Sequence, residues 1–170
     1  MSLQIQIYRA KPNPAGQDRV FGIPQHQQLL GEWVDLKNIG DQAVYLSSIH
    51  LAHTTYYSGG CNVKDKASIY WNGKGSDLLS SGQIVRIHTG KSAYYAYAPA
   101  QDKIGVHLHA FAEKGNFVLN NTCGDVLSVW YKGTEGDWHL DDEATYAPNL
   151  SNGQILIRSG SQLIPSYVSI

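Results

Sequence analysis

Short runs in which apolar and polar residues alternate, each closed by a glycine, proline or asparagine turn, constrain this chain more than any other feature. Successive side chains of a strand point to opposite faces, so a period of two marks a strand with one face buried. Residues 3–9 (Leu-Gln-Ile-Gln-Ile-Tyr-Arg) show the pattern, as do 32–37, 83–88 and 106–109. Residues 43–51 continue it, with a phase slip at Ser47-Ser48 that predicts a bulge or bend. Residues 126–131 are a further strand, and Asn38-Ile39-Gly40-Asp41, Asn72-Gly73 and 133–136 are the turns. Strands spaced about eight to twelve residues apart predict a sandwich or barrel and no βαβ units. The composition agrees, with 17 glycines, 11 tyrosines and one methionine. A helix of about one turn fits only at 77–80 or 141–146.

With 170 residues, 42% hydrophobic and 16% charged, the chain suits one folded domain. Residues 1–149 read as the sandwich, with a long proline-bearing loop at 11–28 and an irregular stretch at 52–66. Residues 150–170 read as a C-terminal hairpin, strands 154–158 and 162–165, packed on the same domain or on a neighbour. The net charge of −1 and the scattered basic residues argue against a phosphate-gripping surface, so nucleic acid is the weaker partner expectation. The start, Met-Ser-Leu-Gln-Ile-Gln-Ile, has no basic-then-apolar leader, and no apolar run spans a bilayer, so a cytoplasmic protein is expected. In that setting Cys61 and Cys123 are most simply free thiols, with a bridge as the alternative.

Three blocks carry a resemblance. Gly31-Glu32-Trp33-Val34-Asp35-Leu36-Lys37-Asn38-Ile39-Gly40 with Ala43-Val44-Tyr45-Leu46-Ser47 is the first, and residues 79–90, ending in His88-Thr89-Gly90, are the second. Leu119-Asn120-Asn121-Thr122-Cys123-Gly124-Asp125 with the strand after it is the third. In this order they resemble the lamin tail domain, its bacterial members above all. The resemblance implies an immunoglobulin-like sandwich and a non-catalytic module that contacts protein and sometimes DNA, bacterial members often accompanying nucleases or surface proteins. Three features depart from the family: Ile49-His50-Leu51 stands where it usually has a tryptophan, residues 53–66 are longer than a simple hairpin, and residues 150–170 lie beyond the family core. The turn residues of the blocks are structural markers, since Asn, Asp and Gly suit left-handed backbone.

Residues able to carry chemistry fall into three groups. His50, His53, Cys61, His107, His109 and Cys123 are candidate zinc ligands, because zinc takes three or four imidazoles or thiolates. On an alternating strand His107 and His109 share a face, but no Cys-x-x-Cys or His-Glu-x-x-His spacing supports the set. A metal-dependent hydrolase is therefore the alternative reading, and no cofactor is expected. Asp137, Asp141, Asp142 and Glu143 form an acidic cluster without a calcium-loop pattern. Tyr56, Tyr57, Tyr94, Tyr95 and Tyr97 lie in loops, where tyrosine offers rigid amphipathic contact area. They are the candidate binding residues for a protein partner.

Overall fold

The structure, a computed structural model, describes residues 4–14 and 24–166. It is all-β. Twelve strands form: β1 Ile5–Lys11, β2 Trp33–Asn38, β3 Val44–Tyr45, β4 Ile49–Tyr56, β5 Val63–Asn72 and β6 Leu78–Leu79. The remainder are β7 Ile84–His88, β8 Leu108–Phe111, β9 Asp125–Lys132, β10 Trp138–Tyr146, β11 Leu156–Ser159 and β12 Gln162–Pro165. Ten of them join in the order β5-β4-β9-β10-β12-β11-β1-β2-β7-β8, and β3 pairs with β6 alone. The ribbon folds over a shared core in which Ile5, Ile7, Val34, Leu36, Val85 and Ile87 meet Ile49, Leu51, Leu127 and Val129. The arrangement is sandwich-like, with a single parallel bridge, Thr145 to Gln162, joining the two halves.

Local chemistry explains where expectation and structure part. The slip at Ser47-Ser48 is one 3-10 turn, Leu46–Ser48, that separates β3 from β4. The stretch at 52–66 is not irregular: β4 and β5 pair from His50↔Asn72 to Tyr56↔Val63, absorbing the broken alternation in three register shifts. Neither one-turn helix forms. Residues 78–79 are β6, and 141–146 belong to β10, whose carboxylates serve β1. Asp141 accepts from the Ile5 N–H at 2.7 Å and Asp142 from the Ile7 N–H at 2.7 Å, donors that a ladder would otherwise take. The C-terminal hairpin is part of this domain, with β11 antiparallel to β1 and β12 beside β10. Of the loop at 11–28, Lys11 ends β1 and Gln25–Gln28 make one helical turn, α1, while 15–23 lie outside the described residues.

One irregularity in β1 decides the rest of the molecule. Its pairing with β2 shifts between Ile7 and Arg9, so Tyr8 is an extra residue and the phase reverses after it. Ile5 and Ile7 enter the core before the bulge and Ala10 after it. Arg9 and Lys11 thereby turn to the outer face, opposite Asp35 and Trp33 of β2. Beyond these, Arg86 and His88 of β7 and then His109 and Phe111 of β8 continue the same two rows.

Candidate functional site

The parallel pairing of β7 with β8 forces the intervening chain to cross the sheet, and it crosses that outer face. Two 3-10 turns, Ser92–Tyr97 and Ala100–Asp102, carry the crossing, with Pro99 between them. Beneath lies a row of charges taken out of water. Asp35 is fully buried and receives Arg86 through Nε at 2.8 Å and a terminal nitrogen at 2.9 Å, and Arg9 through Nε at 3.0 Å. Burial pushes the Asp35 carboxyl up, while the two guanidiniums pull it down. Their three donors need an acceptor that a protonated acid would partly withdraw, so we describe it as a carboxylate.

From the crossing segment Asp102 enters the same layer. Its Oδ1 accepts from Lys11 Nζ at 2.6 Å and from the Trp33 indole N–H at 2.9 Å. Arg86 lies over the Trp33 ring at 3.6 Å and donates to the carbonyls of Asp102 and Ile104. Each cation is thus paired or bonded, the condition under which burying it is tolerable. His88 bonds through Nδ1 with the Leu30 carbonyl at 2.7 Å and through Nε2 with His109 Nδ1 at 2.8 Å, and His109 Nε2 meets the Lys103 carbonyl at 3.1 Å. That chain calls for three protons where two neutral rings hold two. Burial opposes the third: it draws His88 down to about 3 and lowers His109 as well.

The tyrosine turn sits on this layer. Tyr95 is its anchor, with ring centroids 5.2 Å from His109 and 5.4 Å from Phe111, and Lys103 Nζ lies 5.0 Å from its ring. Tyr94 stacks on His26 of α1 at 4.3 Å, and Tyr97, 62% exposed, meets the same imidazole edge-on at 6.5 Å. Tyr97 therefore faces outward, while Tyr94 is half-buried against His26, a residue of the stretch that reads from sequence as an unpatterned loop. Tyr56 and Tyr57 belong to the β4–β5 hairpin and make no ring contact with this group among the described residues. Tyr56 donates its hydroxyl to the Gly124 carbonyl at 3.1 Å, whereas Tyr57 is exposed.

The proposed zinc ligands are not gathered, and among the described residues no three His, Cys, Asp or Glu side chains converge. Cys61 and Cys123 are bridged, correcting the expectation of free thiols; the bridge ties the β4–β5 loop to the Asn120–Gly124 turn. The two cysteines are 62 residues apart, and only the fold brings them together. His53 bonds with Asp125 at 3.0 Å, and the same carboxylate takes the N–H groups of Thr54 and Asn120. Gly124 has φ +69, and a Cβ there would come within 2.6 Å of the Tyr146 carbonyl oxygen. His107 Nδ1 accepts from the Ile84 N–H, and His50 stacks on Trp138 at 3.4 Å.

The motif residues act as struts. Glu32 gathers the Thr89 hydroxyl and the N–H groups of Val118 and Leu119 on one oxygen, joining all three sequence blocks. Sequence reasoning missed Arg9 and Arg86, since charged residues on an alternating strand ordinarily face solvent, and Lys11 and Asp102, which it placed in loops. No helix of the described residues is long and apolar enough to cross a membrane. No protein-family model matches the chain, and no curated protein is similar to it.

Proposed function

We propose that this protein is a non-catalytic recognition module of the lamin-tail type, binding a protein partner through its tyrosine-bearing crossing segment. One observation carries the reading. Tyr97 stands exposed and Tyr94 is stacked half-buried on His26, on a 3-10 turn whose middle tyrosine is packed on the buried charged layer. Tyrosines held in place beforehand lose little entropy on contact, which is what a recognition surface requires. The family assignment is supported by the three sequence blocks and by the sandwich-like all-β architecture they sit in. Tyr95 supports this surface from below, while Tyr57 offers a separate exposed ring on the hairpin and Tyr56 is held there by the Gly124 carbonyl.

The cysteine bridge bears on where this happens. A cytoplasm keeps thiols reduced, so the oxidised chain suits an oxidising compartment, and we favour that setting over the cytoplasm. A photo-crosslinking residue at position 97 should capture one partner, whose affinity is then measured against Tyr94→Ser/Tyr97→Ser. A loss of about tenfold or more with unchanged melting temperature supports the reading. Undiminished affinity in that double variant discards it.

A further inference from the structure

Beside Tyr94, a cavity of about 270 Å³ opens between α1, the start of the crossing segment and the turn after β8. Backbone bonds decide which charges meet there. The Lys114 N–H donates to the Thr89 carbonyl at 3.0 Å and the Glu113 N–H to the Gly90 carbonyl at 3.2 Å, so Lys91 and Lys114 line the same cavity. Gln25 ties α1 to that turn, its side-chain amide donating to the Gly115 carbonyl at 2.8 Å. Both lysines are exposed, and among the described residues neither ammonium has an ion-pair or hydrogen-bond partner. Glu113 is beside Lys114 in sequence, but its carboxylate accepts from the Ser92 N–H at 3.1 Å. Two like charges held at one cavity without a counterion repel each other, and an anion bound there removes that cost.

We infer that this cavity takes an acidic side chain, the carboxylate of a glutamate or aspartate in an extended, acid-rich segment of the protein partner. The inference rests on the recognition reading and names the chemistry of its partner. Residues 89–116 carry Lys91, Lys103 and Lys114 against Asp102 and Glu113, and Asp102 is buried against Lys11. The charge left open on the tyrosine surface is therefore positive, in a chain whose net charge is −1. Complementarity of this kind selects an acidic partner and speeds its approach. Leu29 and the stacked rings of His26 and Tyr94 give the same cavity an apolar side for the methylene stem of the acid. A nucleic-acid backbone fits less well, because its grip needs a basic stripe and this surface has only these three lysines.

Amide-shift NMR titrations of the full chain would use acetylated triglutamate, triglutamine and trilysine amides, inorganic phosphate and a thymidine pentanucleotide. Triglutamate should move the signals of residues 25–29, 91–94 and 113–115. It should bind at least about tenfold more tightly than triglutamine, an advantage that fades between about 20 and 500 mM salt. Lys91→Gln/Lys114→Gln should lose about fivefold or more of the triglutamate affinity at an unchanged melting temperature, since both side chains are exposed. The inference is overturned if triglutamine or trilysine binds as well, or if phosphate or the oligonucleotide binds in preference. It is overturned too if no peptide shift appears at concentrations up to about 50 mM, or if the lysine variant binds like the parent. The partner captured through position 97 separates this failure from that of the recognition reading. Affinity lost in Tyr94→Ser/Tyr97→Ser but kept in Lys91→Gln/Lys114→Gln leaves the tyrosine surface standing and removes the acidic segment. Affinity lost in the lysine variant but kept in the tyrosine variant keeps the acidic segment and discards the tyrosines.

Discussion

The outer faces of the two halves of this sandwich invert the usual relation between polarity and exposure. On the half formed by β1, β2, β7 and β8 the outer face is charged and buried, with Asp35 at 0% and Arg86 at 1% exposure beneath the crossing segment. On the half formed by β4, β9 and β10 the outer face is apolar and open. There Trp130 and Trp138 are only half-buried beside His50, and Leu140 is 48% exposed. The difference teaches that a sheet face is buried by what the connection above it does, not by its own hydropathy. A parallel pair needs a long crossing connection, and the charged face lies under it; the antiparallel β9–β10 pair needs only a short turn and leaves its face bare.

Removing the central acceptor should break the covered face most. Asp35→Ala would strand Arg9 and Arg86 in the interior, and a loss of about 3–5 kcal/mol is expected by denaturant titration. A loss below about 1 kcal/mol would mean that water reaches the layer. The open half depends instead on a covalent tie. Reducing the Cys61–Cys123 bridge, or replacing both residues with serine, should cost about 2–4 kcal/mol, because the loop it closes spans 62 residues. Hydrogen exchange should loosen at the β4–β5 hairpin while the Arg86 environment stays protected.

Acid should distinguish the two halves next. In the folded chain His88 binds its proton near pH 3, and in the unfolded chain near 6.5. The unfolded state therefore takes up the proton first, and stability present above pH 6.5 is lost as pH falls towards the folded value. About 2–3 kcal/mol should be gone by pH ~4.5, moderated by Asp35, whose carboxyl burial pushes up and which acts in the opposite sense. In His88→Asn the melting temperature should flatten over that interval; an unchanged slope would assign the acid limb elsewhere. The smallest effect belongs to the open face. Leu140→Thr should change stability by no more than about 0.5 kcal/mol, and a larger loss would show that this face is packed against something in solution.

Much of the architecture could be read from alternation and turns. β1, β2 and β7 lie where the period of two places them, β9 lies where its residue types suggest a strand, and the C-terminal pair of strands lies close to its expected bounds. What failed did so for identifiable reasons. The β4–β5 hairpin hides its period in three register shifts, and β10 carries consecutive acids that resemble a polar loop until β1 and Arg158 supply their partners. Of the candidate site, the tyrosines were visible as residue types in a loop, but their division into outward and anchoring members was not. His26 and Asp102 carried no periodic signal at all.

The sequence by itself determined that this chain makes strands and where most of them turn, because side-chain period and turn chemistry are local properties. Only the tertiary structure decided that Cys61 meets Cys123, that one bulge at Tyr8 turns Arg9 and Lys11 outward, and that the crossing segment seals them in with Asp102. Those outcomes depend on which distant segments share a face, and pairing across the fold is set by the packing of the whole core, which no local stretch encodes.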